Sequence, residues 1–193
     1  MGRILSLFNQ EAQLVKALLR QDPKAQRNVY DKYSARMLGL CFRYLGDEMM
    51  AEDVMIEGFV KVFAKIEQFA SDGSFEGWMR RIMVNEALGH LRKQKRLMED
   101  ALPDEASNIP DYQLADQNLD AQEILNLIEQ LPTGYRTVFN LYAIEGYAHM
   151  EIADLLGISE STSKSQLHRA RSMLQKMVSE WENEFKKKVL VEA

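Results

Sequence analysis

Lys164, Ser165, His168 and Arg169, with Arg171 beside them, lie in a segment that carries no acidic residue from Ser161 to Ser179. Side chains of these types suit a polyanion. Arg and Lys bond bidentately to guanine in a major groove, and hydroxyls at the start of a helix suit phosphates and base edges. A second basic set, Arg81, Asn85, Gly89 and Arg92, falls on one face at helical spacing, with Arg80 to one side and Arg92, Lys93, Lys95 and Arg96 closing the run. The helix macrodipole favours cations at a carboxyl end by about 0.3–1 kcal/mol each, whatever they bind. Four cations in five positions exceed what that effect calls for, so this segment too is expected to contact nucleic acid. A third charged set, Asp53, Glu57 and Lys61, is aligned at i, i+4, i+8 along another helical pattern.

Nothing in the chain is arranged for catalysis. There is no Gly-rich phosphate loop and no Cys–His pair at ligand spacing, and the three histidines are His90, His149 and His168. The single cysteine, Cys41, excludes an intramolecular disulfide and a Cys-rich zinc site. The expectation is therefore no catalytic residue, no metal and no cofactor. No apolar run approaches the roughly 18 residues of a membrane span, and the amino terminus has no signal-peptide core. A cytoplasmic protein without membrane insertion is expected.

The elements that must hold these side chains are helices. Glu145 to Arg171 reads as a helix, a turn at Gly157-Ile158-Ser159 and a second helix, that is, a helix-turn-helix. Ile152, Ala153, Leu156 and Ile158 sit where the two helices must touch, Gly157 permits the reversal and Ser159 is placed to cap the second helix. On that second helix Leu167, Ala170, Leu174, Met177 and Trp181 form the packing stripe, with Ser165, His168, Arg169 and Ser172 expected opposite.

Upstream, Asp22-Pro23 opens a helix in which Tyr30, Tyr33, Met37, Leu40 or Cys41, and Tyr44 keep an i, i+3, i+7 rhythm, and Gly46-Asp47 ends it. A helix from about Met50 to Phe69 and another from Trp78 to about Arg96 flank the Gly-containing loop 70–77. Phe69, Phe75 and Trp78 surround that loop, available either to stack on a base, worth roughly 1–3 kcal/mol, or to anchor packing. Helices resume near Asp120, and Pro132 fits the first turn of the next.

Charge divides the chain as well. The formal net charge is -5, but residues 1–96 hold 16 basic against 12 acidic side chains, 97–130 hold none against 9, and 131–193 hold 8 of each. The acidic stretch 97–119 contains Pro103 and Pro110 and no periodicity, so it reads as a linker. The expected architecture is all-α: a first domain at 10–96, the acidic linker 97–119, a second domain at 120–180 containing the helix-turn-helix, and a tail at 181–193.

Three blocks, "AEDVMIEGFVKVFAKI", "SFEGWMRRIMVNEALGHLRKQKR" and "LPTGYRTVFNLYAIEGYAHMEIADLLGISESTSKSQLHRAR", resemble in order and spacing those of bacterial sigma factors of the extracytoplasmic-function group. The resemblance implies that core RNA polymerase and promoter DNA are the partners, and suggests a membrane-linked anti-sigma factor as a further one. It implies that Asp53 and Glu57, with Lys61 nearby, dock on the polymerase clamp. It also implies that Arg80, Arg81, Asn85, Gly89 and Arg92 engage the −10 element, and that Lys164, Ser165, His168 and Arg169 read the −35 duplex, with Arg171 nearer the phosphates. The linker carboxylates would occupy basic polymerase channels. Ile56 departs from the glutamine usual in the clamp-binding stretch, and Ser163 from a core-facing valine, a loss of apolar contact worth about 1 kcal/mol. The residues read alone leave an alternative: a stand-alone regulator that binds duplex DNA as a dimer.

Overall fold

The computed structural model describes residues 2–70, 73–98 and 121–191. It divides into two compact units, Met1–Asp100 and Ala101–Ala193, and among the described residues there is helix but no strand. The linker proposed for 97–119 lies outside the described residues from position 99 onward.

The first unit holds α1 (Gly2–Leu19), α2 (Pro23–Leu45), α3 (Glu48–Ala64), a 3-10 turn (Ile66–Gln68) and α4 (Phe75–Met98). Helix α2 begins where the sequence places it, with the Asp22 carboxylate accepting the Lys24 N–H at 2.9 Å and Pro23 in the first turn. It ends at Gly46 in the left-handed conformation (φ 69°). Of the expected stripe Tyr33, Met37, Leu40, Cys41 and Tyr44 are buried, joined by Val29, while Tyr30 is half-buried.

Three boundaries differ from expectation, each for an identifiable reason. Helix α3 starts at Glu48 because Asp47 caps it, its carboxylate accepting the Met50 N–H at 2.8 Å, and the chain leaves the α-helix after Ala64 so that Ile66 turns into the core. Helix α4 starts at Phe75, a turn before Trp78. The Ser74 hydroxyl accepts the Gly77 N–H at 3.0 Å, and the Glu11 carboxylate of α1 accepts the Phe75 N–H at 2.8 Å. Helix α1 itself precedes the expected first helix. Among its described side chains only Val15 and Leu18 are buried, too short a pattern to mark a helix in advance.

Helices α2, α3 and α4 pack mutually around Val29, Met37, Val54, Phe59, Met79, Met83 and Ala87. Helices α3 and α4 approach closely at Gly58, where a methyl group would overlap the sulfur of Met83 on α4. The same two helices are tied at their surface by Lys61, whose ammonium donates to Glu86.

The second unit holds α5 (Ala121–Glu129), α6 (Thr133–Phe139), a π-helical turn (Asn140–Ile144), α7 (His149–Leu156) and α8 (Glu160–Val191). Pro132 stands just before α6, at its cap, rather than inside the first turn. Arg136 is nearly buried and donates through Nη1 to the Glu129 carbonyl at 2.8 Å, closing the end of α5. Burial holds its guanidinium below the ordinary value, and the charge of Glu129 works in the opposite sense.

The helix-turn-helix forms as expected from its turn chemistry. Gly157 takes φ 67°, which an L side chain adopts at a cost of about 1 kcal/mol, and Ser159 Oγ accepts the Thr162 N–H at 3.0 Å to cap α8. Ile152, Leu167 and Ala170 are buried between the helices. Ser172 is a correction: it is buried at 1% exposure instead of facing outward, because α6 and α5 as well as α7 pack against α8. The helix does not stop at Trp181 but continues through the tail to Val191.

Candidate nucleic-acid interface

On α4 the buried side chains Phe75, Met79, Met83, Ala87 and Leu88 take one face, so their helical complement is pushed outward. Arg81, Asn85 and Arg92 are exposed there, with Gly89 between them half-buried and nothing within 4 Å of where its Cβ would stand. Among the described residues no group from elsewhere in the chain therefore uses the space that Gly89 leaves open. Arg92 Nε donates to the Leu88 carbonyl at 3.3 Å, which holds its stem along the helix. Arg80 is half-buried on another side of the helix.

The aromatic residues around the preceding loop are sorted by packing. Phe75 is fully buried, its ring 5.5 Å from Phe69, 5.9 Å from Trp78 and 6.4 Å from Tyr33. It is a core anchor and presents no face to a base. Phe69 and Trp78 lie against it and against each other at 5.5 Å, and both remain half-exposed.

On α8 the five expected contact residues do not stand equally free. Ser165, His168 and Arg171 are exposed, and Ser165 Oγ donates to the Thr162 carbonyl at 3.0 Å. Lys164 is exposed but paired with Glu160 one turn earlier, Nζ to Oε1 at 2.7 Å. The hydrogen bond from Lys164, then its charge, holds the Glu160 carboxyl below the usual carboxylate range. Arg169 is half-buried and donates through Nη1 to Tyr135 Oη at 3.2 Å, which ties it to α6. Arg171 sits over the Tyr142 ring, 5.6 Å from its centroid.

Ser163 is where the sequence left a question. It is fully buried, as the usual valine would be, and its hydroxyl is 2.9 Å from His149 Nδ1 at the start of α7. The His149 ring lies flat on Tyr142, with centroids 4.5 Å apart and planes 21° apart. Sequence reasoning missed Tyr135, Tyr142 and His149 as partners of the basic residues. His149, a polar residue at the first position of the helix that packs against α8, was the one available signal.

On α3, Asp53 and Glu57 are exposed, and so are Met49, Ile56 and Val60 at 76%, 45% and 62%. Lys61 is drawn aside to Glu86. The charged stripe is therefore a mixed one, two carboxylates interleaved with apolar side chains. Among the described residues no cluster of His, Cys, Asp and Glu is placed to hold a metal, and no helix is long and apolar enough to cross a membrane.

Two compact helical units, one with a helix-turn-helix and each with exposed basic side chains on a helix, define a two-unit all-α protein of the helix-turn-helix class. Known proteins narrow this further. Residues 29–97 match the family description "Sigma-70 region 2", and residues 121–174 match "Sigma-70, region 4". The chain is 30% identical over 179 residues to the RNA polymerase sigma-H factor of Pseudomonas aeruginosa, covering 86% of this chain and 93% of that one. It is 29% identical over 176 residues to the ECF RNA polymerase sigma factor SigW of Bacillus subtilis, covering 85% and 94%. In fold it is similar to the sigma factor RpoE of Bartonella quintana, solved with the anti-sigma factor NepR: TM-score 0.51 and 21% identity over 79% of this chain and 96% of that one. The chain belongs to the sigma-70 family, in its extracytoplasmic-function group. It is a sigma factor that directs promoter-specific initiation of transcription, and the alternative of a stand-alone dimeric regulator is not favoured.

Proposed function

We propose that the two units divide promoter recognition by the physical state of the DNA. The domain at 10–96 docks on core RNA polymerase through Asp53 and Glu57 on α3 and captures the opened −10 strand along Arg81, Asn85, Gly89 and Arg92 on α4, with Arg80 beside them. The domain at 120–180 inserts α8 into the −35 duplex through Lys164, Ser165 and His168, with Arg169 and Arg171 toward the backbone. Unstacking a base costs a few kcal/mol and needs a pocket to hold it, whereas duplex readout needs only an inserted helix, so two different surfaces are expected. The observation that carries this reading is the exposed, unfilled face Arg81–Asn85–Gly89–Arg92 on a helix whose opposite face is core.

In that complex Lys164 exchanges Glu160 for a phosphate or base edge, a trade favoured by the full charge of a polyanion. Phe69 and Trp78, and not Phe75, are the rings that meet an extruded base. We assign no residue a catalytic role and place the protein in the cytoplasm with core polymerase. An anti-sigma factor, of the kind seen with the RpoE relative, would regulate it by covering the same docking faces.

The test is reconstitution of the protein with core RNA polymerase on promoter templates. Promoter-specific initiation is expected with the natural chain. Arg81→Ala with Asn85→Ala should lose open-complex formation while keeping core binding, and Gly89→Ala should fold normally yet weaken strand capture. A chain that neither binds core polymerase nor supports initiation, despite confirmed folding and a broad template library, overturns the reading.

A further inference from the structure

The packing of α7 against α8 is directional where an apolar contact would be non-directional. Apolar surfaces gain free energy from area and tolerate sliding and rolling, but a hydrogen bond fixes a distance and an angle. At this joint a fully buried hydroxyl, Ser163, meets His149 Nδ1 at 2.9 Å. The imidazole has little freedom to follow a moving helix, because its ring is stacked on Tyr142 at 4.5 Å, and Tyr142 is carried on the π-helical turn Asn140–Ile144.

The charged neighbours belong to the same joint. Glu160, one turn before Ser163, pairs with Lys164 at 2.7 Å and feels the charge of His149, while Arg171, two turns later, covers the Tyr142 ring at 5.6 Å. One face of α8 is thus held at Ser163 and at Arg171 by a single stacked pair of rings. The adjacent face carries Lys164, Ser165 and His168. A roll of α8 by about 20° would move side-chain tips about 6 Å from its axis by about 2 Å. That is enough to exchange one hydrogen-bonding pattern in a groove for another.

We propose that His149 and Ser163 are positioning residues: the hydrogen bond between the buried Ser163 hydroxyl and the half-buried His149, with His149 held flat on Tyr142, fixes the roll of α8 and so sets which −35 sequences this sigma factor prefers. The proposal rests on the reading that α8 engages the −35 duplex. Their role is exerted through Lys164, Ser165 and His168.

The experiment reads initiation by core polymerase with the full chain on a template pool randomised in the upstream duplex element, and ranks the sequences used. His149→Phe keeps a ring against Tyr142 but removes the nitrogen. His149→Asn removes the ring and returns an amide nitrogen near the Nδ1 position. Ser163→Val removes the hydroxyl while filling its space. Ser163→Val and His149→Phe should each reorder the preferred sequences, with roughly five- to tenfold changes in relative use, as expected when single base contacts change. His149→Asn, which returns the hydrogen-bonding atom without the stacked ring, should bring the order part of the way back toward the natural one, and the reorderings of Ser163→Val and His149→Phe should coincide in the double variant. A role in stability alone would lower all promoters in proportion and leave the order intact, which overturns the proposal. Should Ser163→Val fail to fold, the contrast between the two His149 variants decides the matter by itself. If the natural chain shows no dependence on the upstream element, the −35 reading fails and this proposal with it; if it discriminates and every variant keeps its order, only the positioning role fails.

Discussion

Cys41 shows how far burial can silence a reactive group. It lies fully buried in α2, and that burial pushes its thiol from 9.0 up to about 12, with the charge of Arg43 acting in the opposite direction. An unfolded chain releases the thiol proton near pH ~8.5, before the folded chain does. Between those values the unfolded state binds fewer protons, so stability falls as pH rises from about 9 toward 12. Cys41→Ala should start about 1 kcal/mol less stable at neutral pH, from the space it leaves. It should then lose less above pH 9, the natural chain losing up to about 1.4 kcal/mol more per pH unit. Urea denaturation under reducing conditions measures both, and parallel pH profiles would show that the thiol does not titrate on unfolding. Similar residue-level reasoning from sequence placed Asp22 and Ser159 at helix starts and Gly157 in a left-handed turn, since a cap or a turn is decided within four residues of itself.

Between elements, a contact that constrains the first unit is the approach of α3 to α4 at Gly58. A methyl there must displace the sulfur of Met83, whose side chain is fully buried. Gly58→Ala should therefore destabilise the unit by about 1–3 kcal/mol, although alanine is the better helix former by about 1 kcal/mol. Combined with Met83→Ala, the two effects should fall short of their sum by at least about 1 kcal/mol, because the second change removes the atom that the first one strikes. Strictly additive thermal or denaturant midpoints would disprove the clash. The face that this packing orients is the one proposed for polymerase: Lys61, aligned with Asp53 and Glu57 in sequence, is drawn to Glu86 of α4 by the same closeness. The periodicity of α3 was legible; the identity of its neighbour at Gly58 was not.

At the scale of the whole chain, charge segregation decides how a protein of formal net charge -5 can act on DNA. The basic side chains and the acidic stretch 97–130 are segregated along the sequence, and because exposed charges more than about 8–10 Å apart are largely screened from one another, the net charge of the chain says little about the potential at any one basic face. Serine in place of the acidic residues of 97–119 should change the pattern of abortive transcripts and the rate of promoter escape, if those carboxylates occupy basic channels of the polymerase as proposed. Abortive products and escape rates identical to those of the natural chain would reduce the segment to a spacer.

Local chemistry determined most of the elements and the family. Helix caps, apolar periodicity, turn glycines and the partition of charge are properties of residues within a turn or two of one another, and three blocks of them in order were enough to recognise a sigma factor. The tertiary structure decided which of the chemically suitable side chains are free. Glu11 reaches 64 residues along the chain to close α4, Arg169 is taken by Tyr135 34 residues away, Lys61 by Glu86 at 25, and Ser163 by His149 at 14. Phe75 passed from a stacking candidate to the core for the same reason. The short-range pair Lys164–Glu160, at i and i+4, was legible in the sequence and went unread. Spacing along one helix fixes only the side from which a residue projects. What it meets there depends on segments brought together by packing, and that is why the helix-turn-helix could be recognised from its sequence while the angle of its reading helix rests on a serine, a histidine and a tyrosine from three different elements.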